Sequence, residues 1–190
     1  IFLKKEMLIE SAFLSKKEKA VKKEKIAVEY MNANPNKPLH IGQARNICIG
    51  DTIVNMARWL GYKTDAIDYG DDSGVNVGYN ILGHLEYGYP VDTNLKFDHY
   101  CGKIYTEMRT KDDDPVFKEH LSKVLLEIDK NTDKKIAKLH YDYTRKCTIA
   151  QFESCWRLNS FFNLINWETD ILHMNFFDDA LKKLKETKYI

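Results

Sequence analysis

Apolar positions follow two different spacings along the chain, and the change of spacing separates the predicted elements. An apolar run over residues 26–32 predicts a buried strand, and apolar positions at helical spacing over about 41–60 predict a helix that ends at Gly61. Residues 63–69 predict a second strand. A strand–helix–strand unit of this length implies parallel strands joined by a right-handed crossover.

Helical spacing dominates after residue 73. A turn at 112–115 precedes long stretches of helical periodicity over 116–158. Residues 161–167 then predict a late strand, and residues 176–186 predict a final amphipathic helix. Because strands occur early and late with helices between them, we predict an α/β fold interrupted by a mainly helical insertion.

Charge and composition narrow the class of protein. The 190 residues are 44% hydrophobic with a net charge of +1, which suits one large domain and argues against a free-standing basic nucleic-acid binder. No apolar run approaches the ~18 residues that span a bilayer, so no membrane partner is expected. The four cysteines form no C-x-x-C pair, which favours free thiols in a reducing, cytoplasmic compartment.

The densest chemistry lies where the first strand meets its helix. Residues 34–43 read Asn-Pro-Asn-Lys-Pro-Leu-His-Ile-Gly-Gln, and the two prolines stiffen the loop 33–39, called the signature loop below. Unpaired backbone N–H groups and the helix dipole make a helix start an anion site. His40 at this start could donate to a phosphate, or it could only cap the helix.

The sequence 38–43, Pro-Leu-His-Ile-Gly-Gln, resembles the His-Ile-Gly-His signature of class I aminoacyl-tRNA synthetases. Its flanks over 28–46 are similar to the arginyl-tRNA synthetase family. Residues 69–74 resemble that family's Tyr-x-x-Asp-x-Gly segment, and residues 166–173 match the family again. Separated matches in the same order argue against chance.

The resemblance implies the N-terminal half of a Rossmann-like class I synthetase nucleotide-binding fold. Its parts would be an N-terminal helical segment (1–25), the first half of the catalytic domain (26–90), a helical insertion (91–158) and a return to the catalytic domain (159–190). The implied activity is that of an arginine–tRNA ligase, which activates L-arginine with ATP, accompanied by Mg²⁺, and transfers it to tRNA(Arg). We further expect a cytoplasmic monomer.

Two features concern the ends of the chain. Six lysines between residues 16 and 25 make the N-terminal segment basic, which fits either a solvated face or contact with tRNA or phosphate. The chain opens on Ile1 and contains no Lys-Met-Ser-Lys-like loop, so we expect a piece of a longer protein that is inactive alone.

The resemblance assigns four residues to ATP. His40 would donate to the phosphates, and Gly42 would let the nucleotide approach the backbone. Lys37 would hold phosphates, or it is a surface lysine. Gln43 replaces the second signature histidine and donates without becoming cationic, which puts full catalytic competence in doubt.

Arginine recognition requires carboxylates, because a guanidinium is planar, permanently charged and best paired by two bonds. Glu29 matches a family position that contacts the guanidinium, although it could be an outward-facing strand residue. Asn32 and Asn34 fall where the family contacts the α-amino and carboxylate groups, or they are turn residues. Either Asp71 or Asp72, preferentially Asp72, could meet the ammonium group; both could instead form turns and helix caps.

Two rival functions stay open on the sequence. One is another class I synthetase or an adenylyl transferase with the same nucleotide fold. The other is a non-catalytic synthetase-like protein that binds tRNA or a partner, a reading supported by Gln43.

Overall fold

Three parallel strands form the sheet of this protein, whose computed structural model describes residues 21–90 and 92–187. The strands are β1 (Lys25–Glu29), β2 (Lys63–Gly70) and β3 (Leu164–Trp167), in the spatial order β1–β2–β3. The pairing confirms the predicted α/β class and the parallel strand–helix–strand unit. The helix predicted within residues 1–25 lies outside the described residues, except for 21–24.

Seven helices accompany the sheet within the described ranges; the predicted helices at 41–60 and 176–186 are found close to those bounds, and two helices fill the helical stretch predicted over 116–158. They are α1 (Ile41–Trp59), α2 (Val75–Glu86), α3 (Phe97–Arg109), α4 (Pro115–Lys130), α5 (Lys134–Arg157), α6 (Glu168–His173) and α7 (Phe176–Lys185).

The register of the strands puts three carboxyl ends at one edge. Glu29 pairs with Ile67 at the end of β1, and Gly70 pairs with Trp167 at the ends of β2 and β3. Loops that leave this edge therefore converge, as they do around ligand crevices in open α/β sheets.

The first strand is shorter and more exposed than predicted. It ends at Glu29 instead of residue 32, because Met31 (φ 76°) and Asn32 (φ 50°) adopt left-handed backbone conformations. Alternate residues of β1 are exposed, since it lies at the edge of the described sheet. The prediction of a buried strand over 26–32 was therefore wrong for its first half, because residues 27 and 29 are exposed.

The described residues form two separate apolar cores. The larger lies within helices α2–α5, called the helical bundle below, and the smaller lies between α1, α5 and the sheet. The larger contains 14 buried residues, among them Ile81, Leu82, Ile104 and Met108. The smaller contains Tyr30, Met31, Ala33, Ile47, Val54, Ala66 and Cys155.

Helix α5 joins the two cores. Tyr143 and Cys147 lie in the larger core, and Cys155 lies in the smaller one. Helix α2, which the sequence assigned to the first part of the domain, packs on α3, α4 and α5. The bundle is thus joined directly to the sheet at both ends, because α2 follows β2 in the chain and α5 precedes β3.

Close backbone contact seats α1 on the sheet. A Cβ atom on Gly50 would lie 2.2 Å from the Tyr30 ring, so only glycine permits this approach. Gly61 (φ 90°) ends the turn after α1, as predicted. Among the described residues, no helix combines the length and the apolar character needed to cross a membrane.

Candidate active site at the carboxyl edge of the sheet

Asn32 organises the turn that follows β1. Its backbone N–H donates to Asp68 Oδ1 (3.1 Å), and its Nδ2 donates to Glu29 Oε1 (3.2 Å). The backbone N–H of Tyr69 donates to its Oδ1 (3.4 Å). Asn32 therefore ties β1 to β2 and orients the Glu29 carboxylate.

Glu29 is exposed at the mouth of an open cleft. The cleft has a volume of about 260 Å³ and lies between the end of β1 and the outer face of α1, where Asn46, Ile49 and Ile53 line it. The carboxylate is therefore accessible to a cation that enters there.

Asp68 lies beneath this turn and was missed by the sequence analysis. It is 1% exposed, and burial raises the pKa of its carboxyl group to about 7, although the hydrogen bond from the Asn32 N–H opposes the shift. Its second oxygen, Oδ2, has no hydrogen-bond partner among the described residues. The alternation along β2 could have revealed it, because Thr64, Ala66 and Asp68 share the buried face.

Asn34 and the carboxyl ends of β2 and β3 form a second polar group. Asn34 Nδ2 donates to Asp71 Oδ2 (2.6 Å), and Ser73 donates to Glu168 Oε2 (2.6 Å). Burial, followed by the adjacent Glu168 carboxylate, raises the pKa of Asp71 to about 6. The sequence had marked Glu168 as a family residue without giving it a contact.

The Asp72 carboxylate is not available to a substrate in this structure, contrary to its predicted role. It is fully buried, and Arg145 Nη1 (2.7 Å) and Thr169 Oγ1 (2.9 Å) donate to its Oδ2. The Thr169 N–H donates to Oδ1 (3.0 Å). Asp72 joins β2 to α5 and α6, and Asp71 is the partly exposed member of the pair.

Arg145 is held on two sides by aromatic rings. Its guanidinium lies 3.5 Å from the centre of the Trp167 ring and 4.6 Å from that of Tyr141. The imidazole of His140 contacts the Asp72 carbonyl oxygen (2.6 Å), and burial lowers its pKa. These contacts explain Trp167 as packing around a buried ion pair.

His40 caps α1 and is exposed. Its Nδ1 accepts from the Gly42 N–H (3.0 Å), so the proton of the neutral ring is on Nε2. The alternative of a capping role is therefore correct for one ring nitrogen. The other nitrogen offers a donor beside the helix start.

Gly42 and Gln43 both serve this cap. A Cβ atom on Gly42 would lie 2.8 Å from the His40 ring, so glycine lets the ring fold over the helix end. Gln43 Oε1 accepts from the His40 N–H (3.0 Å), which completes a capping box. The spacing His-x-x-Gln at a helix start could have indicated this contact.

Lys37 projects from the signature loop towards α3. Its Nζ lies 5.1 Å from the centre of the Tyr105 ring. It lines a groove of about 800 Å³ together with Pro38, His99 and Lys103. The lysine thus lies three residues before His40 in the chain but faces the helical bundle.

The arrangement combines two complementary sites. The side chains of His40 and Lys37 suit an anion, whereas Glu29 and Asp71 suit a cation. Among residues 21–90 and 92–187, no group of three or more acidic, histidine or cysteine side chains could hold a metal ion.

Comparison with known proteins identifies the family that this chain resembles. A family model described as tRNA synthetases class I (R), catalytic domain, matches residues 5–190. An arginine–tRNA ligase of Methanocella arvoryzae is 33% identical over 193 residues, covering 97% of this chain and 33% of that protein. One from Thermococcus sibiricus is 29% identical over 178 residues, covering 87% of this chain and 28% of that protein.

A solved structure gives the same result for the fold. Thermus thermophilus arginyl-tRNA synthetase superposes with a TM-score of 0.79 at 26% identity, covering 98% of this chain and 31% of that one. The chain thus spans about a third or less of the proteins that it resembles.

Proposed function

The chain belongs to the class I tRNA synthetases for arginine, as part of their catalytic domain, and we propose on this premise that the protein is an arginine–tRNA ligase. It would activate L-arginine with ATP and transfer the arginyl group to tRNA(Arg). Because the chain covers about a third of its relatives, the activity is proposed for the full-length protein.

The proposed first step joins the two sites. The arginine carboxylate attacks the α-phosphorus of ATP, an O–P bond forms, and the bond to the β,γ-phosphates breaks to release pyrophosphate. The ribose hydroxyl at the tRNA 3′ end then attacks the arginyl carbonyl, and AMP leaves. Negative charge develops on phosphate oxygens in the first step, so fixed donors there lower the barrier.

The single observation that carries the proposal is the joint exposure of His40 and Glu29 on either side of the signature loop. Within residues 21–90 and 92–187, His40 is engaged through Nδ1, which caps the helix, and its Nε2 is left as a donor. Glu29 lines the cleft beside α1. A nucleotide and a guanidino substrate thus have complementary groups on one edge of the sheet.

We assign the phosphates to His40, Lys37 and the backbone around Gly42, and we assign arginine to Glu29, Asn34 and Asp71. Asn32 orients Glu29 through its side-chain bond. Mg²⁺ would arrive with ATP and bind the phosphate oxygens.

Three further statements stay predictions. Binding of tRNA(Arg), a monomeric state and a cytoplasmic location follow from the proposed activity and are open to direct measurement.

The first test is arginine-dependent exchange between ATP and pyrophosphate by the full-length protein with tRNA present. His40→Asn keeps an N-cap acceptor but removes the distal ring donor. We expect its rate to fall about 10²–10³-fold with the thermal midpoint nearly unchanged. A normal rate in this variant would contradict the role of His40.

A matched variant tests the arginine side. Glu29→Gln removes one half of a charged pair and keeps the side-chain size, so the KM for arginine should rise far more than that for ATP. Equal effects on both substrates would remove Glu29 from the arginine site.

The non-catalytic alternative rested on Gln43 in place of the second signature histidine. The bond from the His40 N–H to Gln43 Oε1 gives the glutamine a structural role in capping α1, so its presence does not by itself indicate lost activity. Gln43→His should raise kcat if the glutamine is a catalytic defect. An unchanged or lower rate would indicate a site adapted to glutamine, and no exchange with any amino acid in the wild type would favour the non-catalytic alternative.

A further inference from the structure

A buried glutamine of α5 holds the signature loop from behind. Gln151 is 1% exposed, and its Nε2 donates to the carbonyl oxygens of Asn34 (2.9 Å) and Lys37 (2.8 Å). One amide thus fixes the backbone at two points of a short turn. These two points carry side chains that we assign to different substrates.

A second amide supports the same loop. Asn80 of α2 is fully buried, and its Nδ2 donates to the carbonyl oxygen of Asn36 (3.0 Å). Pro35 and Pro38 have no N–H groups, so the loop supplies few donors of its own. Its carbonyl groups depend on the helical bundle for these bonds.

Helix α3 contacts the side of the loop that carries Lys37. The Tyr105 ring lies under the Lys37 ammonium group. A Cβ atom on Gly102 would approach Pro38 Cδ to 3.0 Å, so α3 and the loop are in close contact. Three helices of the bundle therefore bound the loop.

We propose that Gln151 is a positioning residue of the ligase site, setting the backbone from which Asn34 reaches arginine and Lys37 reaches ATP. The proposal rests on the proposed function. Both bonds of the amide run to the loop, so its removal acts first on the loop and not on the apolar core of the bundle.

Kinetics separate positioning from a purely structural role. A destabilised protein has a smaller folded fraction, which lowers the apparent kcat and leaves both KM values unchanged. A displaced loop weakens contacts to both substrates, and displacement of about 1 Å can cost ~10²-fold in rate. We therefore expect the KM values for arginine and ATP to rise together.

The experiment uses Gln151→Met in the full-length protein. Methionine keeps the length of the side chain but offers no donor. We expect each KM to rise about tenfold, and hydrogen exchange to become faster in residues 34–40.

The matched control is Thr148→Val, on the same helix. Thr148 is 3% exposed, and valine keeps its shape while removing a buried hydroxyl group. We expect Thr148→Val to leave both KM values and loop exchange unchanged, whatever its thermal midpoint. Equal KM shifts in Thr148→Val and Gln151→Met would overturn the proposal.

A second pair of variants remains informative if Gln151→Met does not fold. Tyr105 is half-buried on the groove wall and packs against the core of the bundle, so Tyr105→Leu removes the ring beneath Lys37 but keeps an apolar side chain there. We expect it to raise the KM for ATP alone, and Tyr105→Phe to behave as wild type. An unchanged KM in Tyr105→Leu would overturn the positioning of Lys37 by the bundle.

The outcomes distinguish the two proposals. An active wild type with unchanged KM values in Gln151→Met overturns the role of Gln151 alone. A wild type without arginine-dependent exchange overturns the ligase assignment, and the positioning proposal is then overturned with it.

Discussion

The helical bundle contains most of the buried apolar residues, whereas the sheet side carries most of the side chains that we assign to substrates. The larger core lies in the bundle, whereas the smaller core, between α1, α5 and the sheet, has seven buried apolar residues. Helix α1 also leaves Ile49, Ile53 and Met56 about half exposed. Yet the sheet side carries Glu29 and His40, which we assign to substrates.

The difference indicates that the more thinly packed part depends on the other for rigidity. Cys155 of α5 packs into the smaller core, Arg145 of α5 pairs with Asp72 beneath β2, and Gln151 of α5 holds the signature loop. A site needs accessible polar groups, and accessible groups cannot also form a dense core. The bundle therefore acts as support for the edge at which substrates would bind.

The largest expected effect comes from breaking the link between the two parts. Arg145→Leu leaves the Asp72 carboxylate buried without its cation and removes the contact with Trp167. We expect a loss of about 3–5 kcal/mol in the free energy of unfolding, measured with urea.

The control for this variant removes an ion pair from the surface. Lys123→Leu breaks the pair with Glu119, in which both side chains are more than 60% exposed, so the loss should stay below about 1 kcal/mol. Similar losses in Arg145→Leu and Lys123→Leu would show that α5 does not support the sheet through this pair.

The next effect compares the cores directly. Ile104 is fully buried in the bundle, and Ile104→Ala should cost about 2–5 kcal/mol in the free energy of unfolding. Ile53, on the outer face of α1, is 49% exposed, so Ile53→Ala should change stability by about 0.5 kcal/mol or less. Equal losses would mean that α1 is covered in the full-length protein, which would sharpen the comparison.

Local sequence patterns predicted the elements because their signals are local. Helix α1 was placed to within one residue, since the signature loop precedes it and Gly61 follows it. The end of β1 was misplaced because Met31 and Asn32 are left-handed without glycine, and the N–H of Asn32 bonds to Asp68 on the neighbouring strand. Long-range contacts of this kind leave no trace in a local pattern.

The candidate site shows the same limit. His40 and Glu29 are both exposed, and their contacts with substrates stay predictions. Asp72 was assigned to substrate from its place at the end of β2, and no local pattern shows that Arg145, 73 positions later in the chain, already pairs with it. Gln151 lies 114 or more positions away, along the chain, from the two loop residues that it binds. The sequence could show which residues are chemically suitable but not which of them are already paired.

The smallest expected effect on stability concerns a buried carboxyl group of the sheet, Asp68, which differs in its partners from Asp98, a buried carboxyl group of the bundle. Asp98 of the bundle accepts from Lys96 Nζ (2.9 Å) and the His99 N–H (2.8 Å), whereas Asp68 has one oxygen without a partner among the described residues. The pKa of Asp68 is raised from 3.8 to about 7, so its stabilising effect is complete below pH 4 and is lost as the pH rises through 7.

Asp68→Asn keeps an acceptor for the Asn32 N–H and removes this titration. From pH 6 to 7 the wild type should lose about 1 kcal/mol relative to the variant, measured as unfolding free energy at each pH. Asp71, with a pKa of about 6, titrates in both proteins and cancels in the comparison. A constant difference between them over this range would place Asp68 in contact with water or a cation and would weaken the contrast between the two parts.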